Sequence, residues 1–188
     1  MATRPLTIEE YKNIMQLLET GFTYTEGEKE KKFRPNYQVA LALRLEANLG
    51  LRISDVLRLQ VKSFKGDKLE IIEKKTGKLQ YRAIDPNITD IIKDYAIEKG
   101  LKGNDSIINI SEKAIQKQLR IICAYLQLDN ISTHSFRKMY ATNQYELNNN
   151  NIELIKELLN HSSIATTQRY IKVSQQAIDK ASGSYFIG

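Results

Sequence analysis

Residues 133–170 read THSFRKMYATNQYELNNNNIELIKELLNHSSIATTQRY and contain both histidines of the chain. His134 and Arg137 are three residues apart, which places them on one face of a helix. His161 is followed nine residues later by Tyr170. Two nitrogen donors one helical turn apart can hold neighbouring oxygens of one phosphate. Donors aimed at a phosphate that gains charge in its transition state lower the barrier. The stretch therefore predicts a site for phosphate chemistry.

The composition is that of a folded, basic domain. The chain has 188 residues, of which 41% are hydrophobic and 27% charged. This size suits one well-cored domain, so we expect a single domain over residues 1–188. Lys and Arg outnumber Asp and Glu by 28 to 22, which gives a net charge of +6 and a pI near 9.2. This surplus favours a polyanionic partner, because basic side chains displace counterions from phosphates. Charge alone does not establish nucleic-acid binding, since many basic proteins bind none.

No segment indicates export or membrane insertion. The N-terminus, MATRPLTIEE, lacks an apolar signal region, and no apolar run reaches the roughly eighteen residues needed to cross a bilayer. Cys123 is the single cysteine and lies in the apolar run IICAYL. It cannot form an internal disulfide, which suits a reducing compartment. We expect a cytoplasmic protein in which Cys123 is a small core residue.

Hydrophobic spacing predicts a mainly helical chain with a small β element. Thr7 and Glu10 have capping-box spacing ahead of a helix over residues 8–20. A second, buried helix over residues 36–48 ends at Gly50. Further helical patterns cover residues 54–59, 88–99, 111–127, 136–146 and 152–159. Strands are predicted at residues 69–73 and 81–84, on either side of KKTGK, and the charged residues 21–35 are interpreted as an exposed loop.

Residues 49–60, LGLRISDVLRLQ, hold a candidate charge pair. If the segment after Arg52 is helical, Asp55 lies one turn away and could orient the guanidinium by a charge-assisted hydrogen bond. An ordinary surface ion pair is the alternative.

Residues 73–82, EKKTGKLQYR, form a candidate hairpin with a basic tip. Gly77 supplies the positive-φ position of the turn. Lys74, Lys75 and Lys78 cluster there, and a lysine so placed could reach a DNA groove or deliver a proton. The alternative is a solvated, lysine-rich turn.

Tyr170 is the candidate nucleophile. A tyrosine phenol titrates near pH 10, so it needs a proton acceptor or a nearby positive charge to react at neutral pH. His161 could help through a hydrogen bond to the phosphate or the phenol. Taken singly, each of these side chains could instead be structural; it is their joint order and spacing that indicates function.

Neither a four-ligand zinc site nor an acidic cluster for a divalent ion is indicated, so we expect no metal.

From Leu6 to Tyr170 the chain resembles the catalytic domain of the tyrosine recombinases, or phage-type integrases. LTIEE begins the similarity. LRISDVLRL resembles the first arginine box and KKTGK the hairpin that bears the family's lysine. THSFRKMYAT resembles the His-x-x-Arg box, and LLNHSSIATTQRYI the closing box with a histidine and the nucleophile. The resemblance implies an α+β, mainly α fold: a helical bundle with a small antiparallel β-sheet.

The resemblance also implies a site-specific recombinase or integrase that cleaves and rejoins DNA through a 3′-phosphotyrosine, with neither metal nor ATP. Tyr170 would attack the scissile phosphate and Asp55 would brace the site. Lys75 would protonate the leaving 5′-oxygen, with Lys74 as the competitor for that role. The residues implied around the phosphate are Arg52, His134, Arg137 and His161.

Double-stranded DNA is the implied partner, with a tetramer on DNA and a monomer when free. Two rival functions are a topoisomerase-like relaxing enzyme and a DNA-binding regulatory remnant. Asn160 stands where the family usually has glycine, and Phe136 where it usually has leucine. The family's N-terminal core-binding domain is expected to be absent. In the tail, residues 172–188, a short helix at Ala177, Ile178 and Ala181 could pack on its own subunit or exchange between protomers.

Overall fold

The computed structural model describes residues 3–171, 179 and 182–184. Ala177, Ile178 and Ala181, which were expected to form a short helix, lie outside the described residues. The chain divides into two compact units, Met1–Tyr140 and Ala141–Gly188. A single catalytic domain over residues 1–188 stays a prediction.

Helix α2, Tyr37–Leu49, lies at the centre of the core of the first unit. The Asn36 side chain accepts a hydrogen bond from the Val39 amide at its start, and Gly50 ends it in the left-handed conformation. Because this helix is apolar nearly all round, it can be covered on several sides. Its buried residues are Val39, Ala40, Leu41, Ala42, Leu43, Leu45, Glu46, Ala47 and Leu49. The predicted buried central helix is confirmed.

The other predicted helices are present, although α3 ends three residues earlier than predicted. Helix α1, Ile8–Thr20, begins with the predicted capping box and packs against α2 and α5. Helix α6 begins in the first unit and continues into the second. The remaining helices are α3 Ile53–Val56, α4 Pro86–Lys99, α5 Glu112–Tyr125, α6 Thr133–Leu147, α7 Ile152–Leu158 and α8 Ile164–Gln168. Helix α8 was not predicted, because five residues are too few to show an apolar period.

The exposed loop predicted over residues 21–35 is wrong, since these residues form a β-hairpin. Strand β1, Phe22–Glu26, pairs antiparallel with β2, Lys29–Phe33. Phe22 stacks on Phe33 with ring centroids 4.9 Å apart and contacts Tyr125 of α5 at 4.4 Å. Most of the other side chains are exposed, so the hairpin is fixed by a few aromatic contacts rather than by a regular apolar alternation.

A three-stranded antiparallel sheet supplies the second β element. Its order is β3 Phe64–Lys65, β4 Lys68–Ile72 and β5 Leu79–Ala83. Ile72 pairs with Leu79 and thereby closes the turn over residues 73–78. The two longer strands confirm the predicted pair, while β3 was not predicted because it has only two residues.

Cys123 is buried on α5, which confirms its predicted core position. Burial raises the pKa of the Cys123 thiol to about 11, so the unreactive thiol form is favoured. Within the part of the chain that the structure describes, no helix combines the length and the apolar character needed to span a membrane.

Candidate active site

The turn that follows α2 carries the first candidate residue, Arg52. Gly50 has a φ of +59°, and a Cβ at this position would lie 2.3 Å from the ring of Tyr140. Only glycine satisfies both the conformation and the close approach. The Gly50 carbonyl accepts a hydrogen bond of 2.6 Å from Nη1 of Arg137. Arg52 follows two residues later as the N-cap of α3, so one turn positions two of the predicted arginines.

The guanidinium of Arg52 is held by two carboxylates. Its Nη1 donates to Oε2 of Glu73 at 2.8 Å, and Oδ2 of Asp55 lies 3.9 Å from the same nitrogen. Oδ1 of Asp55 accepts from the backbone N–H of Lys74 at 2.7 Å. The predicted Arg52–Asp55 pair is therefore present as an ion pair, but the hydrogen bond goes to Glu73. Asp55 instead fixes the backbone of the lysine turn.

Glu73 is a site residue that the sequence reasoning missed. It is only 1% exposed and also accepts hydrogen bonds from Thr76 Oγ1 at 2.9 Å and Gln80 Nε2 at 2.5 Å. The signal that could have found it is the strand period, since Leu69, Ile71 and Glu73 alternate onto one buried face. An acidic residue in that series needs a buried partner, and Arg52 supplies the positive charge.

Lys75 lies at the tip of the turn between β4 and β5. The Gly77 N–H donates to the Glu73 carbonyl at 2.9 Å, and the Glu73 N–H donates to the Lys78 carbonyl at 3.0 Å. Gly77 has a φ of +67°, which confirms the predicted positive-φ position. Lys74 and Lys75 are both exposed. The anchored backbone of Lys74 leaves Lys75 nearer the apex of the turn.

His134 and Arg137 lie one turn apart at the start of α6. Arg137 is completely buried, whereas His134 is exposed. Partial desolvation lowers the pKa of His134, and the nearby charges of Arg137 and Lys138 lower it further. At neutral pH the imidazole is therefore mainly uncharged, with one N–H to donate and one nitrogen to accept.

A buried carboxyl group accompanies Arg137. Glu46 of α2 is 0% exposed, and neither of its carboxyl oxygens accepts a well-formed hydrogen bond from a described residue. Burial raises the pKa of Glu46 well above its usual range; Glu112 adds to the rise, while Arg137 and the Ile53 backbone oppose it. The uncharged form is favoured, so Glu46 neutralises Arg137 less than an ionised carboxylate does.

We expect Glu46→Gln to stabilise the protein in a pH-dependent way. At pH values below the usual glutamate pKa, Glu46 is protonated in both the folded and the unfolded protein. Its ionisation then does not change the free energy of unfolding. At pH values above the usual glutamate pKa, Glu46 ionises freely only in the unfolded chain. The free energy of unfolding of the wild type then falls by about 1.4 kcal/mol per pH unit, until the pH reaches the raised pKa that Glu46 has in the folded protein. Glutamine does not titrate and escapes this loss.

Urea unfolding at a series of pH values from 4 to 8 measures this difference. The free energy of unfolding of Glu46→Gln relative to the wild type should be lowest at pH 4 and should increase as the pH rises. Glu28→Gln, at an exposed hairpin position, is the matched control and should show no such growth. A constant difference between Glu46→Gln and wild type across the series would contradict the assignment.

In the second unit, the end of α7 positions His161. Asn160 has a φ of +52°. Its N–H donates to the Glu157 carbonyl, and the His161 N–H donates to the Lys156 carbonyl, both at 2.9 Å. This is the Schellman arrangement, in which a left-handed residue ends the helix. Asn160 thus takes the conformation that glycine usually supplies, in agreement with the known tolerance of asparagine for it.

His161 and Tyr170 contact each other within this unit. Their ring centroids are 4.8 Å apart and the planes meet at 65°. Nδ1 of the buried His161 is 3.1 Å from Oγ1 of Thr167, a fully buried residue that sequence reasoning missed. The Tyr170 backbone is held by the Thr167 carbonyl at 2.8 Å and by the Thr142 hydroxyl at 3.4 Å. The predicted histidine–tyrosine pairing is therefore a close contact.

The side chains of the first unit offer donors of the kind that a phosphate accepts. Two guanidinium groups, a neutral imidazole and an exposed ammonium are present, and donors of this type can stabilise a phosphoryl group that gains charge. Among residues 3–171, 179 and 182–184, no group of three or more His, Cys, Asp or Glu side chains is placed to hold a metal ion.

The candidate site residues occur along the chain in an order that a known protein family shares. The profile of the phage integrase family matches residues 4–177. The chain belongs to the phage integrase family. This membership confirms the resemblance seen in the sequence.

Relatives support the same family. A probable integrase/recombinase, YoeC of Bacillus subtilis (strain 168), is 34% identical over 136 residues, covering 68% of this chain and 74% of the relative. A probable integrase/recombinase of Acholeplasma phage L2 is 27% identical over 173 residues, covering 85% of this chain. The chain spans only 56% of the length of that phage protein.

The fold matches solved integrase structures. The catalytic domain of bacteriophage HP1 integrase superposes with a TM-score of 0.67 at 18% identity, covering 97% of this chain and 95% of that domain. The likeness confirms the predicted fold class, a mainly helical integrase catalytic-domain fold with small antiparallel sheets.

Proposed function

We propose that this chain is a site-specific recombinase that breaks and rejoins DNA strands through a 3′-phosphotyrosine intermediate. The observation that carries the proposal is the turn after α2. It binds the guanidinium of Arg137 through the Gly50 carbonyl and carries Arg52 two residues later, so both arginines are anchored at this turn. Membership of the phage integrase family supports the same reading.

In the proposed reaction, Arg52 and Arg137 bind the non-bridging oxygens of the scissile phosphate. Their charge stabilises the transition state more than the ground state, because negative charge on these oxygens grows as the attack proceeds. The uncharged imidazole of His134 donates a further hydrogen bond. Asp55 and Glu73 act indirectly: Glu73 orients Arg52, and Asp55 fixes the backbone at Lys74.

Tyr170 is the proposed nucleophile. His161 assists it through a hydrogen bond to the phosphate or to the phenol. The phenolic oxygen forms a bond to phosphorus as the bond from phosphorus to the 5′-oxygen breaks. The phenolic proton passes to water, and Lys75 gives a proton to the leaving 5′-oxygen; Lys74 is the alternative donor. Attack by a 5′-hydroxyl of another strand reverses these steps. One phosphate ester replaces another at each step, so no ATP is consumed.

Double-stranded DNA is the proposed partner. The net charge of +6 supports an anionic ligand. We also propose a tetramer on DNA, as the family resemblance implies, a monomer when free, and a cytoplasmic location.

A pool of nicked duplexes with a randomised central sequence tests the proposal. A nick near the cleavage point lets the short 5′-hydroxyl fragment diffuse away, so the covalent intermediate accumulates. We expect an SDS-resistant adduct whose DNA is attached through its 3′ end, enriched for particular sequences. Absence of any adduct contradicts the proposal. Relaxation of supercoiled plasmids without sequence enrichment favours a topoisomerase-like enzyme instead.

A further inference from the structure

Arg82 of β5 contacts three elements of the first unit. Within the sheet it lies opposite Leu69 of β4. Its Nη2 donates a hydrogen bond to the Leu49 carbonyl at the end of α2. Its Nη1 is 3.4 Å from the hydroxyl of Tyr140 on α6, and its guanidinium carbon is 5.9 Å from the centre of that ring.

These contacts converge on the turn that positions the proposed phosphate-binding arginines. Leu49 and Gly50 are consecutive, and each carbonyl accepts from an arginine: Leu49 from Arg82 and Gly50 from Arg137. Carbonyls at the C-terminal end of a helix have no partner within the helix, and cationic donors satisfy them well. The Tyr140 ring fills the space beside Gly50, where a side chain would collide with it.

The β4–β5 hairpin therefore holds this turn at two separate points. Glu73, directly after β4, binds the side chain of Arg52. Arg82, on β5, binds the backbone at Leu49. The same hairpin carries Lys75 at its tip, and α6 carries His134 as well as Arg137.

We propose that Arg82 is a positioning residue for strand cleavage, which fixes the turn over residues 49–52 against the hairpin and against α6. This inference rests on the proposed recombinase function. Arg82 itself does not touch the phosphate in this scheme. It acts through Arg52 and Arg137, whose spacing must match the oxygens of one phosphate. A displacement of about 1 Å in such a site can lower the rate on the order of 100-fold.

Two measurements on Arg82→Met test the proposal. The first is amide hydrogen exchange in peptides covering residues 46–56, which we expect to become faster because the turn has lost one of its anchors. The second is single-turnover cleavage of nicked duplex at saturating DNA, which we expect to fall roughly 10- to 100-fold with little change in DNA affinity. Arg44→Met is the matched control, since this arginine of α2 pairs with Glu19 and not with the turn.

A substrate with a neutral methylphosphonate at the scissile position separates positioning from a general loss of folded protein. Misplaced arginines matter less when the reacting group carries less negative charge, so the loss in Arg82→Met should be smaller on this substrate than on the phosphodiester. A lower folded fraction lowers both rates equally. Equal losses on the two substrates, or unchanged exchange over residues 46–56, would overturn the proposal.

Arg82→Lys keeps the test decisive if the methionine variant does not fold. Lysine retains a donor for the Leu49 carbonyl but lacks the planar fork that also reaches Tyr140. We expect an intermediate loss of cleavage and an intermediate rise in exchange. Wild-type behaviour in both measurements would overturn the proposal. If wild type itself forms no adduct, the recombinase function fails, and the exchange experiment still decides whether Arg82 fixes the turn.

Discussion

Replacing Tyr170 by phenylalanine is expected to abolish the covalent protein–DNA adduct. The change removes the attacking oxygen and keeps the ring that lies 4.8 Å from His161, so packing in the second unit is retained. Loss of a nucleophile typically lowers a rate on the order of 10⁴-fold or more. DNA affinity should be nearly unchanged, because a hydroxyl group adds little to binding dominated by phosphate neutralisation.

The adduct is quantified on denaturing gels with end-labelled nicked duplex, and affinity is measured in parallel by filter binding. Tyr145→Phe, which removes a hydroxyl elsewhere in the same unit, should form the adduct at the wild-type rate. Persistence of the adduct in Tyr170→Phe would assign the nucleophile to another residue.

Arg137→Ala is expected to slow cleavage by about 10²- to 10³-fold, the usual effect of removing one donor from a site of developing charge. DNA binding should fall far less, because one buried guanidinium is a small part of the phosphate contacts. The change also removes the donor to the Gly50 carbonyl, which should lower the unfolding free energy by roughly 1–3 kcal/mol.

Cleavage and binding are therefore compared at a temperature where thermal melting shows both proteins to be folded. Arg137→Lys serves as the control, since it keeps the charge with fewer donors and should retain more activity than alanine. Equal losses of cleavage and DNA binding in Arg137→Ala would refute a role in transition-state stabilisation.

Local signals in the sequence were sufficient for the helices that have a clear start and stop. The capping box at Thr7 and Glu10 and the glycine at position 50 set the limits of α1 and α2 to within about a residue. By contrast, the β1–β2 hairpin depends on a contact between Phe22 and Tyr125, which lie about a hundred residues apart. Nothing local distinguishes its charged strands from an exposed loop.

The difference between local signals and contacts between distant residues also applies to the candidate site. Motif order and spacing were enough to select Arg52, His134, Arg137, His161 and Tyr170. Their partners were not predictable in this way. Glu73 is 21 residues from Arg52 and Gly50 is 87 residues from Arg137, so each pairing becomes visible only when the chain has folded. The roles of the selected residues, including Lys75, stay predictions until they are tested.

The contrast between Arg137 and Lys75 has a kinetic consequence. Arg137 is buried and already bonded to the Gly50 carbonyl in the free protein, so it loses little side-chain freedom when a phosphate arrives. Lys75 projects into water from the tip of its turn, and ordering a lysine side chain costs about 1.5–2 kcal/mol of conformational entropy. Under the proposed roles, Arg137 would be in place to stabilise charge before DNA binds, whereas protonation of the leaving group would require Lys75 to become ordered first. If the proposed function holds, this ordering step would lower the frequency of strand breakage on DNA that fits the protein poorly.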